Sequence, residues 1–261
     1  MPSRDSSLPR SVLRNMKTWQ MLSALGPIDA RNVKRDPLLK WLIFYPLFVV
    51  GLIRWGVPPL TFYLSTHFQF DLVPYYNLLM SFLVLMTPML AGMVIGFLLL
   101  DQKDDQTLVA LQVTPLSLNA YLIYRLSMPV LLSFVTTVVI LPLAGLVRIE
   151  IRSLLLSAAS AAPLAPFYAL MLPAFCSNKV QGFALTKALG VLLVPPVVAY
   201  ILPFSWEWLF GIVPLYWPAK LFWVLQDGEN GVLFYLGMGL FYQFLVLFLL
   251  LRRFNKRMHI K

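Results

Sequence analysis

Few side chains in this sequence have the types and spacing that catalysis or metal binding requires. The 261 residues include two histidines, His67 and His259, and a single cysteine, Cys176. The chain between the two histidines is expected to cross a membrane an odd number of times, so they cannot share a metal ion, and no His-Glu-x-x-His motif occurs. The single cysteine excludes an internal disulfide and is expected to pack among apolar side chains. We therefore predict no catalytic residue, no metal site and no cofactor bound by this chain.

Motifs for nucleotide hydrolysis and for proton chemistry are also missing. No Gly-x-x-x-x-Gly-Lys-Ser/Thr loop occurs, so the chain is not expected to bind ATP in that way. The apolar segments contain no paired carboxylates, although an acidic residue there would cost about 2.5–3.5 kcal/mol and would therefore mark a functional site. These absences argue against a membrane-embedded hydrolase and against a proton-coupled carrier.

Arg54 is the only charged residue that the sequence places well inside an apolar segment. One interpretation is that its side chain faces a polar translocation pathway and contacts the substrate. The other is that the long side chain reaches the lipid head groups, which the neighbouring Trp55, Pro58 and Pro59 favour because they place the membrane interface nearby. The sequence leaves both interpretations open.

The polar segment after the second apolar stretch has the pattern of a short helix with defined ends. Asp104 and Asp105 stand where the unpaired N–H groups of a first helical turn favour carboxylates. Leu108 and Leu111 give this helix an apolar side, and Pro115 ends it because the residue before a proline is disfavoured in the α region. The segment is either a capped linker between two spans or a docking helix for a soluble partner.

An all-helical membrane domain is predicted to position these residues. Hydrophobic residues make up 59% of the chain and charged residues 12%, against about 25% charged in soluble domains. About 20 apolar residues cross a bilayer as a helix, and only helices and closed barrels can cross because every backbone polar group must be satisfied internally. The apolar runs here are continuous rather than alternating, which favours helices. The six predicted spans are about 41–64, 75–100, 121–147, 153–176, 188–204 and 231–251.

Two stretches of small residues predict close packing between these helices. Gly92 and Gly96 form a small-xxx-small face in the second span, and Ser157 to Ala162 is an unbroken run of small residues in the fourth. Prolines inside the spans are compatible with helices, because neighbouring helices can satisfy the backbone groups that a proline frees.

The distribution of Lys and Arg predicts that both termini lie in the cytoplasm. With that orientation, 17 of the 21 basic residues fall on the cytoplasmic side, and the other 4 lie in the first span or outside. Residues 1–40 then form a cytoplasmic tail with an interfacial elbow helix, residues 41–251 the six-helix domain, and residues 252–261 a basic tail. We attribute the net charge of +10 to this topology and predict no nucleic-acid partner.

The N-terminal tail contains a basic amphipathic segment. Arg31, Lys34 and Arg35 share one helical face at i, i+3 and i+4 spacing, and Trp19 lies at the edge of an earlier apolar face. One interpretation is a solvated tail. The favoured one is an amphipathic elbow helix on anionic lipid head groups, because an apolar span follows directly. Membrane lipids are therefore a predicted partner.

Residues 205–230, between the last two spans, are rich in aromatic side chains. Pro214 and Pro218 divide this segment into two pieces. We predict a pair of short re-entrant helices that aromatic rings anchor at the outer interface, rather than an ordinary external loop. The aromatic residues are Phe204, Trp206, Trp208, Tyr216, Trp217, Phe222 and Trp223.

With these elements in place, the chain resembles the membrane (permease) subunit of a type-2 ABC transporter of the exporter class. In that family, a charged cluster after the second span is followed by Gly-Thr-Leu and by a Leu-rich turn that ends in Thr-Pro-Leu-Ser. The run Arg35-Asp36-Pro37-Leu38 also resembles the family's connection from the elbow helix into the membrane. Gln106 replaces the usual glycine, and Gln102 stands where the first acidic residue is common. The matching residues are Lys103, Asp104, Thr107, Leu108, Leu111, Thr114, Pro115, Leu116 and Ser117.

The resemblance implies that this chain is the permease of an ATP-driven exporter at the cell membrane. An ABC ATPase subunit would bind ATP and Mg, and a second permease subunit, identical or different, would complete the translocation path. The charge-poor spans suit an apolar or amphipathic substrate such as a drug, an antibiotic or a lipid. The alternatives are a membrane-embedded enzyme and an assembly factor without transport activity. The coupling helix that docks on the ATPase would include Asp104, Asp105, Thr107, Leu108, Leu111 and Pro115.

Overall fold

The computed structural model describes Arg31 and residues 34–105, 118–202 and 204–259, and every regular element within these ranges is helical. The α-helices are α1 (Pro37–Phe68), α2 (Tyr76–Asp104), α3 (Leu118–Ala144), α4 (Ile151–Ala161), α5 (Leu164–Phe175), α6 (Lys179–Gly190), α7 (Val194–Ile201), α8 (Phe204–Glu207), α9 (Tyr216–Asp227) and α10 (Val232–His259). Short 3-10 turns occupy Val73–Tyr75, Val191–Leu193 and Trp208–Ile212.

Six helical segments among the described residues are long and apolar enough to cross a membrane, which confirms the prediction of six spans. The fold is therefore that of an all-α integral membrane protein. The six segments are Pro37–Phe68, Val73–Lys103, Tyr121–Ala144, Ile151–Phe175, Lys179–Ile201 and Val232–Phe254.

Two of the six spans are interrupted near prolines. The fourth span consists of α4 and α5, and Pro163 lies between them. The fifth consists of α6, a 3-10 turn and α7, whose first turn contains Pro195 and Pro196. A proline has no N–H and its ring crowds the preceding turn, so the regular hydrogen bonding stops at these points. At the first break, the Gln243 amide of α10 donates to the carbonyl of Ser160 at 3.1 Å, as expected when a neighbouring helix satisfies the backbone.

The fifth span begins at Lys179, well before the predicted boundary near residue 188. The reason is the preceding Asn178, whose side chain accepts a hydrogen bond from the Gln181 N–H at 3.0 Å. This N-cap starts α6 in a polar stretch that hydropathy alone assigns to the loop.

The second span is the centre of the bundle. Of its most apolar stretch, 94% is buried, compared with 17% for the first and last spans. α2 packs most extensively against α5 and α3, and it also contacts α1 and α9. The apolar side chains of α1 and α10 are largely exposed, as expected of helices that face lipid or a partner.

The predicted small-residue contacts are confirmed. A Cβ atom added to Gly92 would lie 2.2 Å from the carbonyl oxygen of Ala165, and one added to Gly96 would lie 3.1 Å from that of Ala169. The backbones of α2 and α5 therefore touch along this face. In α4, the small residues from Ser157 onwards are mostly buried, and the helix packs against α3 and α9.

The segment before the last span does form short helices, α8 and α9, but its aromatic rings are placed differently from the prediction. Trp206 and Trp208 are exposed, whereas four of the seven predicted interface anchors are buried inside the bundle. α9 packs against α2, α4 and α10, and the aromatic residues fill these contacts. The interface-anchor prediction is thus wrong for Tyr216, Trp217, Phe222 and Trp223.

Candidate functional site

One candidate site, the Lys179 cluster, is defined by Asp36, Asp101 and Lys179. The ammonium group of Lys179 lies 2.9 Å from a carboxylate oxygen of Asp36 and 2.9 Å from one of Asp101. Lys179 is the first residue of α6, Asp36 is the N-cap of α1, and Asp101 belongs to the last turn of α2. One lysine therefore joins the beginnings of two spans to the end of a third.

Asp36 caps the beginning of α1 and also forms an ion pair with Lys179. One of its carboxylate oxygens accepts hydrogen bonds from the backbone N–H groups of Leu38 at 2.9 Å and Leu39 at 3.4 Å. Partial burial acts to raise the pKa of the Asp36 carboxyl, but the hydrogen bond and charge of Lys179, with the two backbone hydrogen bonds, outweigh it and lower the pKa from its ordinary value. Asp36 is therefore ionised at neutral pH, and the ion pair is present.

An open cleft of about 520 Å³ lies beside the Lys179 cluster, where the chain leaves α2 towards residues 106–117. The two helices on either side of residues 106–117 are joined by a hydrogen bond, which the Tyr121 hydroxyl of α3 donates to the Gln102 side chain of α2. The residues that line the cleft are Arg35, Asp36, Pro37, Leu39, Leu98, Asp101, Gln102, Asp105 and Lys179.

The predicted coupling residues fall at the edge of the described residues. Asp104 is the last residue of α2, and Asp105 is its C-cap, with a backbone N–H that donates to the carbonyl of Asp101 at 2.9 Å. Asp104 therefore ends α2 instead of beginning a new helix, because α2 continues past its predicted end near residue 100. A helix that begins after Asp105 would lie outside the described residues and stays a prediction. Thr107, Leu108, Leu111 and Pro115 lie outside the described residues, so their docking role stays a prediction.

The predicted elbow residues are placed only in part. Arg31, Lys34 and Arg35 are helical and exposed, directly before α1. Trp19 lies outside the described residues. Binding of this segment to lipid head groups stays a prediction.

Arg54, the predicted pathway residue, contacts the end of a neighbouring helix. Its guanidinium donates a hydrogen bond to the carbonyl of Leu143 at 2.7 Å, in the last turn of α3. That carbonyl has no partner within its own helix, so a cation there satisfies it and complements the helix dipole. The side chain of Arg54 is otherwise exposed, and a direct contact with substrate stays a prediction.

Two buried cations were missed by the sequence reasoning. Arg125 of α3 is fully buried and Lys220 of α9 is 8% exposed. The predicted topology counts Arg125 among the 17 basic residues on the cytoplasmic side and Lys220 among the other 4, and it does not predict that either is buried. Lys220 pairs with the buried Glu207 at 3.0 Å. The signal for Lys220 was its place among apolar and aromatic residues in α9. The pairing itself was hidden, because 13 residues and a turn separate the partners.

A second cavity of about 500 Å³ lies at the opposite end of the bundle, and we call it the Lys220 vestibule. Two hydrogen bonds hold its walls together. The Asn77 amide donates to the Asp227 carboxylate at 3.0 Å, and the Tyr200 hydroxyl donates to the carbonyl of Pro74 at 2.8 Å. The residues that line the vestibule are Pro74, Tyr75, Ala199, Tyr200, Ile201, Leu202, Glu207, Lys220, Trp223, Asp227 and Glu229.

The charges of the vestibule are predominantly negative. Partial burial and the nearby Glu229 raise the pKa of the Asp227 carboxyl from its ordinary value, and together they outweigh Lys220 and the hydrogen bond from Asn77. Among the described residues, no group of three or more His, Cys, Asp or Glu side chains could hold a metal ion. The side chains of the two sites form ion pairs and hydrogen bonds.

Comparisons with known proteins give one family. Residues 29–251 match the family described as Fluoroquinolones export permease protein Rv2686c-like. Two curated relatives are each 34% identical over 239 residues, an alignment that covers 90% of this chain and 94% of each relative. They are the Fluoroquinolones export permease protein MT2760 of Mycobacterium tuberculosis (strain CDC 1551 / Oshkosh) and the Fluoroquinolones export permease protein Rv2686c of Mycobacterium tuberculosis (strain ATCC 25618 / H37Rv). No solved structure gives a significant match.

Proposed function

The chain belongs to the family described as Fluoroquinolones export permease protein Rv2686c-like, and from this premise we propose that it is the permease subunit of an ATP-driven exporter. The observation that carries the proposal is the match over residues 29–251, which includes the first five spans and nearly all of the sixth. A transport role for this chain, rather than an enzymatic one, follows from the family.

ATP and Mg bind to a separate ABC ATPase subunit in this proposal. The sequence supports this division of labour, because it contains no Gly-x-x-x-x-Gly-Lys-Ser/Thr loop. A second permease subunit, identical or different, completes the translocation path. The exposed apolar surfaces of α1 and α10 offer area for that contact as well as for lipid.

Coupling between the ATPase and the spans runs through residues 106–117 in this proposal. The apolar Leu108 and Leu111 dock on the ATPase, and the chain on either side enters α2 and α3. Asp101 and the ion pairs of Lys179 lie at the base of this segment. A force on the segment would therefore reach α1 and α6 through charged contacts, without passing through the lipid-facing surface.

The substrate in this proposal is apolar or amphipathic. The relatives are named for the export of fluoroquinolones, so a fluoroquinolone is the first substrate to test. The proposed orientation places both termini and the Lys179 cluster in the cytoplasm, because the basic residues concentrate on that side. The Lys220 vestibule then opens on the outside.

The proposal is tested by separating the docking contact from membrane insertion. Leu111→Asp should leave the spans inserted but weaken capture of the ATPase and abolish substrate-stimulated ATP hydrolysis, because loss of a hot-spot side chain costs at least about 1 kcal/mol. The matched control is Gln112→Asp, which adds the same charge at a neighbouring position on a different side of the predicted helix. Copurification and ATP hydrolysis of the reconstituted complex are the measurements. A Leu111→Asp complex that stays fully coupled would show that this segment is only a linker.

A further inference from the structure

The Lys220 vestibule contains more negative charge than its lysine can balance. The ammonium group of Lys220 lies 3.0 Å and 3.2 Å from the two carboxylate oxygens of Glu207, and both side chains are at least nine-tenths buried. This pair is neutral as a unit and forms an enclosed part of the wall. Asp227 and Glu229 remain, both exposed at the mouth of the vestibule. The chain as a whole carries a net charge of +10, so this excess of carboxylates is local.

Aromatic rings line the vestibule beside these carboxylates. The rings of Tyr200 and Trp223 meet edge to face, with centroids 4.9 Å apart, and Tyr75 lies on the same cavity. Faces of Trp and Tyr rings attract cations, and they also stack on flat aromatic molecules. Carboxylates next to such rings favour a ligand that is both aromatic and positively charged.

Trp223 is an almost fully enclosed part of this wall. Its side chain is 4% exposed, and its indole N–H has no hydrogen-bond acceptor within the described part of the chain. An enclosed donor without an acceptor is unfavourable. Because the protein encloses this nitrogen, Trp223 contributes its ring rather than its N–H to the wall of the vestibule.

The vestibule is also held open before any ligand arrives. The Asn77–Asp227 and Tyr200–Pro74 hydrogen bonds join the beginning of the second span to α9 and α7. The volume of about 500 Å³ falls within the usual range for small-molecule sites, roughly 300–1,000 Å³. Preformed sites of this kind bind without a large ordering cost.

We propose that the Lys220 vestibule binds aromatic organic cations, and that substrates of this class leave the permease from it, a role that rests on the proposed function. Asp227 and Glu229 supply the charge, and Tyr75, Tyr200 and Trp223 supply the aromatic wall. Cargo that has crossed the spans reaches this site last, because the vestibule lies at the end of the bundle opposite the Lys179 cluster.

A pair of probes of equal shape and opposite charge tests the binding site. Tetraphenylphosphonium and tetraphenylborate have the same four phenyl rings, so a difference between their affinities, each corrected for partition into protein-free micelles, reports the charge preference of the site. The full chain, purified in an uncharged maltoside detergent, should bind tetraphenylphosphonium saturably and tetraphenylborate much more weakly. Equilibrium dialysis measures both affinities.

Three variants assign the binding to the vestibule. The double variant Asp227→Asn/Glu229→Gln should bind tetraphenylphosphonium about tenfold more weakly, because it removes two charges near the ligand. Glu229→Lys, in an exposed position that tolerates substitution, should also weaken binding. Asp71→Asn is the matched control, since Asp71 is an exposed carboxylate at the same end of the bundle but outside the vestibule. Its affinity should equal that of the unmodified chain.

The proposal is overturned if tetraphenylphosphonium does not bind, if tetraphenylborate binds equally well, or if the double variant and Glu229→Lys both keep full affinity. These measurements need no ATPase, so they are independent of the proposed function. If the chain binds the cation but does not couple to an ATPase, the binding site is supported and the proposed exporter function is contradicted. If the chain couples to an ATPase but does not prefer the cation, the exporter function is supported and the binding site is contradicted.

Discussion

At the scale of single residues, several charged side chains of this protein bind to the ends of helices. Asp36 caps α1, and Arg54 donates to a carbonyl at the end of α3. Lys103 donates to the carbonyls of Pro173 and Cys176 at the end of α5. Helix ends carry unpaired backbone groups, so charged side chains there satisfy them and keep the polar atoms out of the lipid.

Replacing Lys179 should impair coupling between the ATPase and the spans while leaving the stability of the fold nearly unchanged. Its two ion pairs are about one-third exposed, so each contributes at most about 1 kcal/mol to stability. We expect Lys179→Gln to change the midpoint of thermal unfolding little, but to lower substrate-stimulated ATP hydrolysis because α1 and α6 are no longer tied to the end of α2. The matched control is Lys187→Gln, an exposed lysine on the same helix. Equal stimulation in both variants would remove the Lys179 cluster from the coupling route.

At the scale of helices, the sequence was sufficient to predict the features that depend on the length and spacing of apolar and small residues. Six spans follow from six long runs, and the contact at Gly92 and Gly96 follows from their spacing. The start of α6 could not be read from hydropathy, because the Asn178 cap decides it in a polar stretch. The burial of α9 could not be read either, because the same aromatic residues suit a membrane interface and a protein core.

The contact between α2 and α5 gives a graded test of packing. Gly92→Ala should be clearly destabilising, by roughly 1–3 kcal/mol, because its Cβ would lie 2.2 Å from the Ala165 carbonyl oxygen and the helices must separate. Gly96→Ala should cost less, since its nearest contact is 3.1 Å. Gly237→Ala is the control, because no heavy atom lies within 4 Å of its Cβ position and alanine favours helix.

The single, buried Cys176 makes this series measurable without a label introduced by mutation. A thiol-reactive dye should report heat unfolding when Cys176 becomes accessible. The expected order of thermal midpoints is Gly237→Ala highest, then Gly96→Ala, then Gly92→Ala. A Gly92→Ala midpoint equal to that of Gly237→Ala would mean that α2 and α5 do not touch at this position.

At the scale of the whole molecule, the two candidate sites lie at opposite ends of one bundle and are joined by α2. Its last turn contains Asp101 of the Lys179 cluster, and its first turn contains Asn77, which bonds Asp227 at the Lys220 vestibule. α2 is also the most buried span. A movement imposed at one end would therefore reach the other through a packed helix rather than through flexible loops.

The proposed orientation of this bundle rests on the distribution of its basic residues and has a direct test. A reporter fused after Lys261 should read cytoplasmic, and one inserted at Glu229, in the turn between α9 and α10, should read external. The opposite result at either position would reverse the proposed topology and place the vestibule inside the cell.

The central claim is that this chain carries out export driven by an ATPase bound at residues 106–117. ATP-dependent uptake of a fluoroquinolone into proteoliposomes that contain the permease and its ABC ATPase subunit tests it most directly. We predict uptake that requires hydrolysable ATP and both subunits, is lost with Leu111→Asp and is kept with Gln112→Asp. Uptake that is absent from the intact complex, or equal in the Leu111→Asp complex, would contradict the account.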